Sequence, residues 1–186
     1  MARIAPPARI PWLARLMNRF LTARFGKPFP TVNLLSHHPS YPVPYLMMAG
    51  IYGNARTALD PHTKRLATQL VAQLNGCAFC IDLGQHIARQ AGQDAEKLKW
   101  VLAFHDRPEY TAAERAALQY AWEATQVTAR VSDATFQALR AHFGEREILE
   151  LTVAVATENF FNRLTGPLEI ESQGFCALPL KHAQRS

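Results

Sequence analysis

The sequence predicts an all-α fold built from helices in antiparallel pairs. Three observations carry that expectation. Apolar residues recur at three- and four-residue spacing along most of the chain. Helix starts are signalled by Asp60-Pro61, by the capping box Thr111-x-x-Glu114 and by Ser132. No convincing run of alternating polarity and no hairpin turn signal appears. Short turns between such helices favour antiparallel neighbours.

The elements follow in order. Pro6, Pro7 and Pro11 keep the first ten residues irregular, and Pro11 can open a helix. Leu13, Leu16, Met17, Phe20 and Leu21 then predict an amphipathic helix that packs on its own core or on a partner subunit. Residues 26–45 hold Pro28, Pro30, Pro39, Pro42 and Pro44 and read as a loop. A helix is expected from near Tyr45 to about Ala58. Asp60 caps the next, Pro61–Leu74, with Leu66, Leu70, Val71 and Leu74 along one stripe. Asn75-Gly76 ends it. The stretch from Ala78 to Ala91 reads as a helix with Cys77 at its start, closed by Gly92. Asp94 caps a helix of about 95–104, which Pro108 terminates. The helix after Thr111 turns Leu118, Ala121 and Trp122 inward and ends near Thr128. Ser132 opens another to about Phe143. The last, 145–163, carries Ile148, Leu151, Val155, Phe160 and Phe161.

Chemistry concentrates in the turn after Leu74. Cys77 and Cys80 form a Cys-x-x-Cys pair on the first turn of a helix. A helix N-terminus carries partial positive charge and free N–H groups, which favour thiolate over thiol. Two cysteines at that spacing can close a disulfide. Zinc would need a second ligand pair, and the remaining cysteine is the lone Cys176, while the adjacent His37 and His38 suit a loop. The reading is a redox pair, with no metal and no cofactor.

Composition narrows the function classes. At 186 residues, with 48% hydrophobic and 19% charged content, the chain fits one soluble globular domain. Three cysteines are too few for a secreted disulfide scaffold, so a reducing, cytoplasmic setting is expected. The first residues lack a signal-peptide core, and no apolar run is long enough to span a bilayer. The net charge of +5 is uneven: residues 1–59 hold seven cations and no acid. This basic arm lacks the dense cationic cluster that nucleic-acid binding calls for. Its one amphipathic helix, without a second anchor, is not a membrane attachment.

Leu59-Asp60-Pro61, Gln73-Leu74-Asn75-Gly76-Cys77-Ala78-Phe79-Cys80-Ile81-Asp82 and Glu158-Asn159-Phe160-Phe161-Asn162-Arg163-Leu164 resemble the carboxymuconolactone decarboxylase / alkylhydroperoxidase D-like family. The likeness covers roughly residues 40–170. It implies an antiparallel helical bundle of the alkylhydroperoxidase D-like type over 41–186, preceded by the basic arm, 1–40. It also implies a homo-oligomer, trimer or hexamer, and reduction of peroxides by the cysteine pair, re-reduced by a dithiol partner. In the family's thiol members a His four residues after the second cysteine and a Glu twelve before the first relay protons. Those positions here are Gly84 and Arg65. On the helix wheel position 84 lies within about 40° of Cys80, whereas His86 lies about 120° away and reads as a surface or interface histidine. Arg65 either faces the thiols as electrostatic support or is solvated. Asp82 faces away from the sulfurs, as a structural acceptor.

The candidate catalytic residues are therefore Cys77 and Cys80. The helix-terminus argument favours Cys77 as the attacking thiol, whereas the resemblance implies Cys80, with Cys77 resolving. The pocket should be apolar, built from Phe79 and nearby aromatics. The leading function is thiol-disulfide exchange on a small peroxide or disulfide, with peroxide turnover slowed by the missing relay. The alternatives are a lactone decarboxylase, as in the family's other branch, and a non-enzymatic oligomeric binding protein with structural cysteines.

Overall fold

The structure is a computed structural model that describes residues 2–53 and 56–178. Its elements are α1 (Trp12–Phe25), α2 (Pro30–Leu35), α3 (Pro42–Tyr52), α4 (Pro61–Leu74), α5 (Ala78–Gln90), α6 (Ala95–Lys99), α7 (Ala112–Thr125), α8 (Asp133–Arg140) and α9 (Glu145–Thr165), with no strand among the described residues. Local signals set several starts. Asp60 accepts from the Thr63 N–H, and Thr111 and Glu114 close a reciprocal capping box. Ser132 accepts from the Thr135 N–H.

Helix α4 is the centre. It packs against α5, α7 and α9, and Leu66, Ala67, Leu70 and Val71 are wholly or almost wholly buried. Those side chains meet Leu118, Ala121, Leu139, Leu151 and Val155 in a predominantly aliphatic core. A second core lies at the other side of α5. There Phe29, Phe79 and Phe175 form a triangle of edge-on rings with centroids 5.4–5.8 Å apart. Met17, Leu21, Val32, Tyr45 and Cys77 join it. The segment before residue 41 thus packs on the motif helix, and Arg3 pairs with Glu169.

Several expectations change. Residues 26–45 are not all loop, since α2 forms in their midst and α3 begins at Pro42. Helix α3 ends at Tyr52, and residues 56–60 are not helical, although the expected course through 54–55 lies outside the described residues. The 95–104 segment breaks at Trp100 into α6 and a 3-10 turn, Val101–Ala103. In α1 the buried stripe is Ala14, Met17, Asn18 and Leu21, while Leu16 and Phe20 are exposed. The reason is polar: Asn18 accepts from the Phe29 N–H at 2.7 Å and donates to Asn33 at 2.8 Å, which fixes the helix's rotation. Trp122 and Phe160 likewise point outward.

Candidate active site around the cysteine pair

The site begins at a turn. Gly76 takes φ +64, where a side chain would be strained, and lets α4 reverse into α5. Cys77 is then the N-cap residue of α5, its sulfur accepting from the Cys80 N–H at 3.2 Å. Cys77 and Cys80 are joined in a disulfide, and Cys176 is free. The two sulfurs differ in access. Cys77 is 2% exposed. Cys80 lines an apolar cavity of about 510 Å³, together with Phe29, Tyr45, Phe79 and Leu83.

Helix α9 brings polar groups to both sulfurs. Thr165 Oγ1 lies 3.1 Å from Cys77 Sγ and donates its own hydrogen to the Phe161 carbonyl at 2.9 Å. Asn162 Nδ2 donates to Cys80 Sγ at 3.1 Å and to Glu158 Oε1 at 2.8 Å, one amide hydrogen for each. Asn75, at the end of α4, donates to Asn162 Oδ1 at 3.0 Å and so fixes which way that amide faces. Cys80 and the Glu158 carboxyl therefore stand one hydrogen bond to either side of the same nitrogen, and both line the cavity.

Glu158 is a buried acid in an apolar wall. Burial pushes its carboxyl up to about 7, against the opposing pull of Asn162, Arg65 and Tyr52. Tyr52, itself raised to about 12 mainly by burial, remains a phenol at neutral pH. Arg65 of α4 packs on Tyr52. Its Nη1 donates to Tyr52 Oη at 3.1 Å and its guanidinium lies over the Tyr52 ring. It is partly buried, lines the cavity together with Cys80, and its charge favours the ionised form of Glu158.

The position of the family's relay His is closed. A Cβ on Gly84 would clash with Gln69 Oε1, and Gln69 is buried with its amide directed at the Ile81 carbonyl. His86 is buried against Phe175 rather than at the surface. Asp82 is a structural acceptor on the far side of α5. It takes hydrogen bonds from the Ser172 hydroxyl and from the N–H groups of Gln173, Phe175 and Cys176. Burial raises its pKa, but the Cys176 and Phe175 N–H groups outweigh that and hold it below the ordinary carboxylate value. Burial also pushes the Cys176 thiol up to about 11, with Asp82 adding to the effect, so this cysteine is no nucleophile at neutral pH.

Sequence reasoning found the cysteines but not Glu158 or Asn162. A signal was present. On α9 the buried stripe runs Ile148, Leu151, Val155, then Glu158, Asn162 and Thr165. Three polar residues continuing an apolar stripe mark a buried polar site.

Residues 45–123 match the model of the carboxymuconolactone decarboxylase family. Over that stretch the chain is similar to that family. Its motif helix and the cavity's α3 and α4 walls fall within the match, whereas α9 lies beyond it. The chain is 28% identical to YnjA of Escherichia coli (strain K12), an uncharacterized protein, over 97% of this chain and 99% of that one. Its fold is similar to that of ATU0492 from Agrobacterium tumefaciens, a protein of unknown function proposed to be the antioxidant defence protein AhpD (26% identity, TM-score 0.70, 75% and 95% of the two chains covered). It also matches an uncharacterized peroxidase-related protein from Ralstonia eutropha JMP134 with an alkylhydroperoxidase AhpD core (18% identity, TM-score 0.81, 94% of each chain), a likeness of fold alone. No helix among the described residues is long and apolar enough to cross a membrane.

Proposed function

We propose that the protein is a thiol peroxidase and disulfide oxidoreductase in which Cys80 attacks, Cys77 resolves and Glu158 moves the proton. The observation that carries this reading is the contact set of Asn162, whose amide nitrogen bonds Cys80 Sγ with one hydrogen and the Glu158 carboxyl with the other at the cavity wall. The ionised Glu158 takes the proton of the Cys80 thiol through one water in the cavity, and the Asn162 N–H stabilises the thiolate. The thiolate sulfur bonds to the terminal oxygen of a hydroperoxide, the O–O bond breaks, and the departing alkoxide receives the proton from Glu158. Cys80 is then a sulfenic acid. The Cys77 sulfur displaces its oxygen as water, closing the disulfide. A dithiol reductant attacks Cys80 and returns two electrons. Cys77 leaves readily because the start of α5 stabilises its thiolate. The slow turnover expected from the missing His and Glu is replaced by turnover supported from α9. A lactone decarboxylase would employ its acid independently of the thiols, whereas here the acid is tied to Cys80. Homo-oligomerisation is part of the proposal as the family likeness suggests it.

The test is mass spectrometry of reduced protein given one equivalent of an alkyl hydroperoxide. Wild type should lose two titratable thiols and keep Cys176. Cys77→Ser should trap a dimedone-reactive sulfenic acid on Cys80, and Cys80→Ser should form none. An adduct on Cys77 in the latter, or a bridge containing Cys176, would reverse the assignment.

A further inference from the structure

The cavity holds more positive charge than the chemistry at Cys80 uses. Arg24 of α1 and Lys64 and Arg65 of α4 line it, against the single acid Glu158. Lys64 is half-buried, and burial with the neighbouring Arg65 lowers its pKa. Arg65 keeps its Nε–H buried with no hydrogen-bond partner among the described residues. The intervening wall is apolar. A cavity of about 510 Å³ falls in the range of small-molecule sites. Clustered cations beside low-dielectric walls raise the local concentration of anions.

The register of α4 against α5 sets the distance between this charge and the sulfur. Gln69 of α4 donates to the Ile81 carbonyl of α5 and fills the space where a Cβ on Gly84 would stand. Cys80 lies on one side of that level and Lys64 on the other. Six to nine residues of helix rise separate them, about 9–13 Å. An extended chain gains about 3.5 Å per three bonds, so roughly eight to eleven bonds fill the gap.

Resting on the peroxidase reading above, we propose that the substrate is a long-chain fatty-acid hydroperoxide oxidised in mid-chain, its carboxylate held by Lys64, Arg65 and Arg24 and its alkyl body by the aromatic wall. The step keeps the balance already given. The peroxide's terminal oxygen goes to Cys80 sulfur, the hydroxy fatty acid leaves, and a dithiol supplies the two electrons that reopen the disulfide.

The experiment has two arms. In the first, reduced protein reacts in single turnover with linoleic acid hydroperoxide below its micelle concentration, with the methyl ester of the same hydroperoxide, and with tert-butyl hydroperoxide. The acid should outpace its ester by about ten-fold, and the ratio should fall toward one in Lys64→Gln and Arg24→Gln. Equal rates for acid and ester in wild type would overturn the substrate class while leaving the peroxidase intact. Failure of all three peroxides to oxidise the pair would instead refute the peroxidase reading. In the second arm, calorimetry measures palmitate binding to the oxidised protein, which needs no chemistry. Binding that Lys64→Gln weakens supports the anion site, and binding indifferent to both substitutions sinks it.

Discussion

The molecule's two cores share α5 and α9 but are built to different rules. The α4–α7–α9 core is closed and predominantly aliphatic, with Leu66, Leu70, Leu118 and Leu151 wholly or almost wholly buried. The α1–α2–α5 core is aromatic, borders a cavity and has Glu158, Arg65 and Lys64 at its margin. A side chain in the first contributes stability by packing. A side chain at the edge of the second is held there at a cost. Glu158 shows the cost, since its ionised form is disfavoured in the folded chain. The difference separates scaffold from site more cleanly than burial does, because both regions are buried.

The largest effect expected is on rate. Glu158→Gln should slow oxidation of Cys80 by roughly 10²–10⁴-fold. Stopped-flow rates in wild type should rise as pH passes through about 7, when the carboxyl ionises. That inflection should vanish in the variant. The same group has a stability signature of opposite sign. Its folded pKa is raised, so the contribution is full below the unfolded value and lost as pH rises through the folded one. Between pH 5 and 8 the oxidised wild type should lose roughly 2–3 kcal/mol that Glu158→Gln keeps, read from urea melts. A variant that kept both the rate and the pH slope would erase the distinction drawn between the cores.

Leu70→Ala probes the other core. It should cost about 2–5 kcal/mol in urea melts while the folded fraction oxidises Cys80 at the wild-type rate. A smaller effect is expected behind the motif helix. Asp82→Asn removes the charge that four donors share, at about 1–3 kcal/mol. Hydrogen exchange should quicken at the Phe175 and Cys176 amides, which bond to it.

The helices were legible because their signals are local. Asp60-Pro61 fixes the start of α4, and Thr111 with Glu114 fixes that of α7, through bonds spanning three residues. The cysteine pair was legible for the same reason. What failed was rotation and filling. In α1 both the Met17 and the Phe20 stripes are apolar, and only the bonds from Asn18 to Phe29 and Asn33 choose between them. The polar link between α9 and the cysteine pair was hidden because it spans 82 residues from Asn162 to Cys80. Glu158, between Thr157 and Asn159, also reads, one residue at a time, as part of an outward face. Gln69 filling the space beside Gly84 depends on the register of two helices and has no sequence signal.

The seclusion of Cys77 has a kinetic consequence under the proposed chemistry. With Cys77 sealed beneath Thr165 and Cys80 alone at the cavity, oxidant and reductant must use one doorway in turn. Turnover is then ping-pong, and each substrate, in excess, obstructs the other. The reductant of that proposal has to present its thiol on a slender reach rather than a flat face.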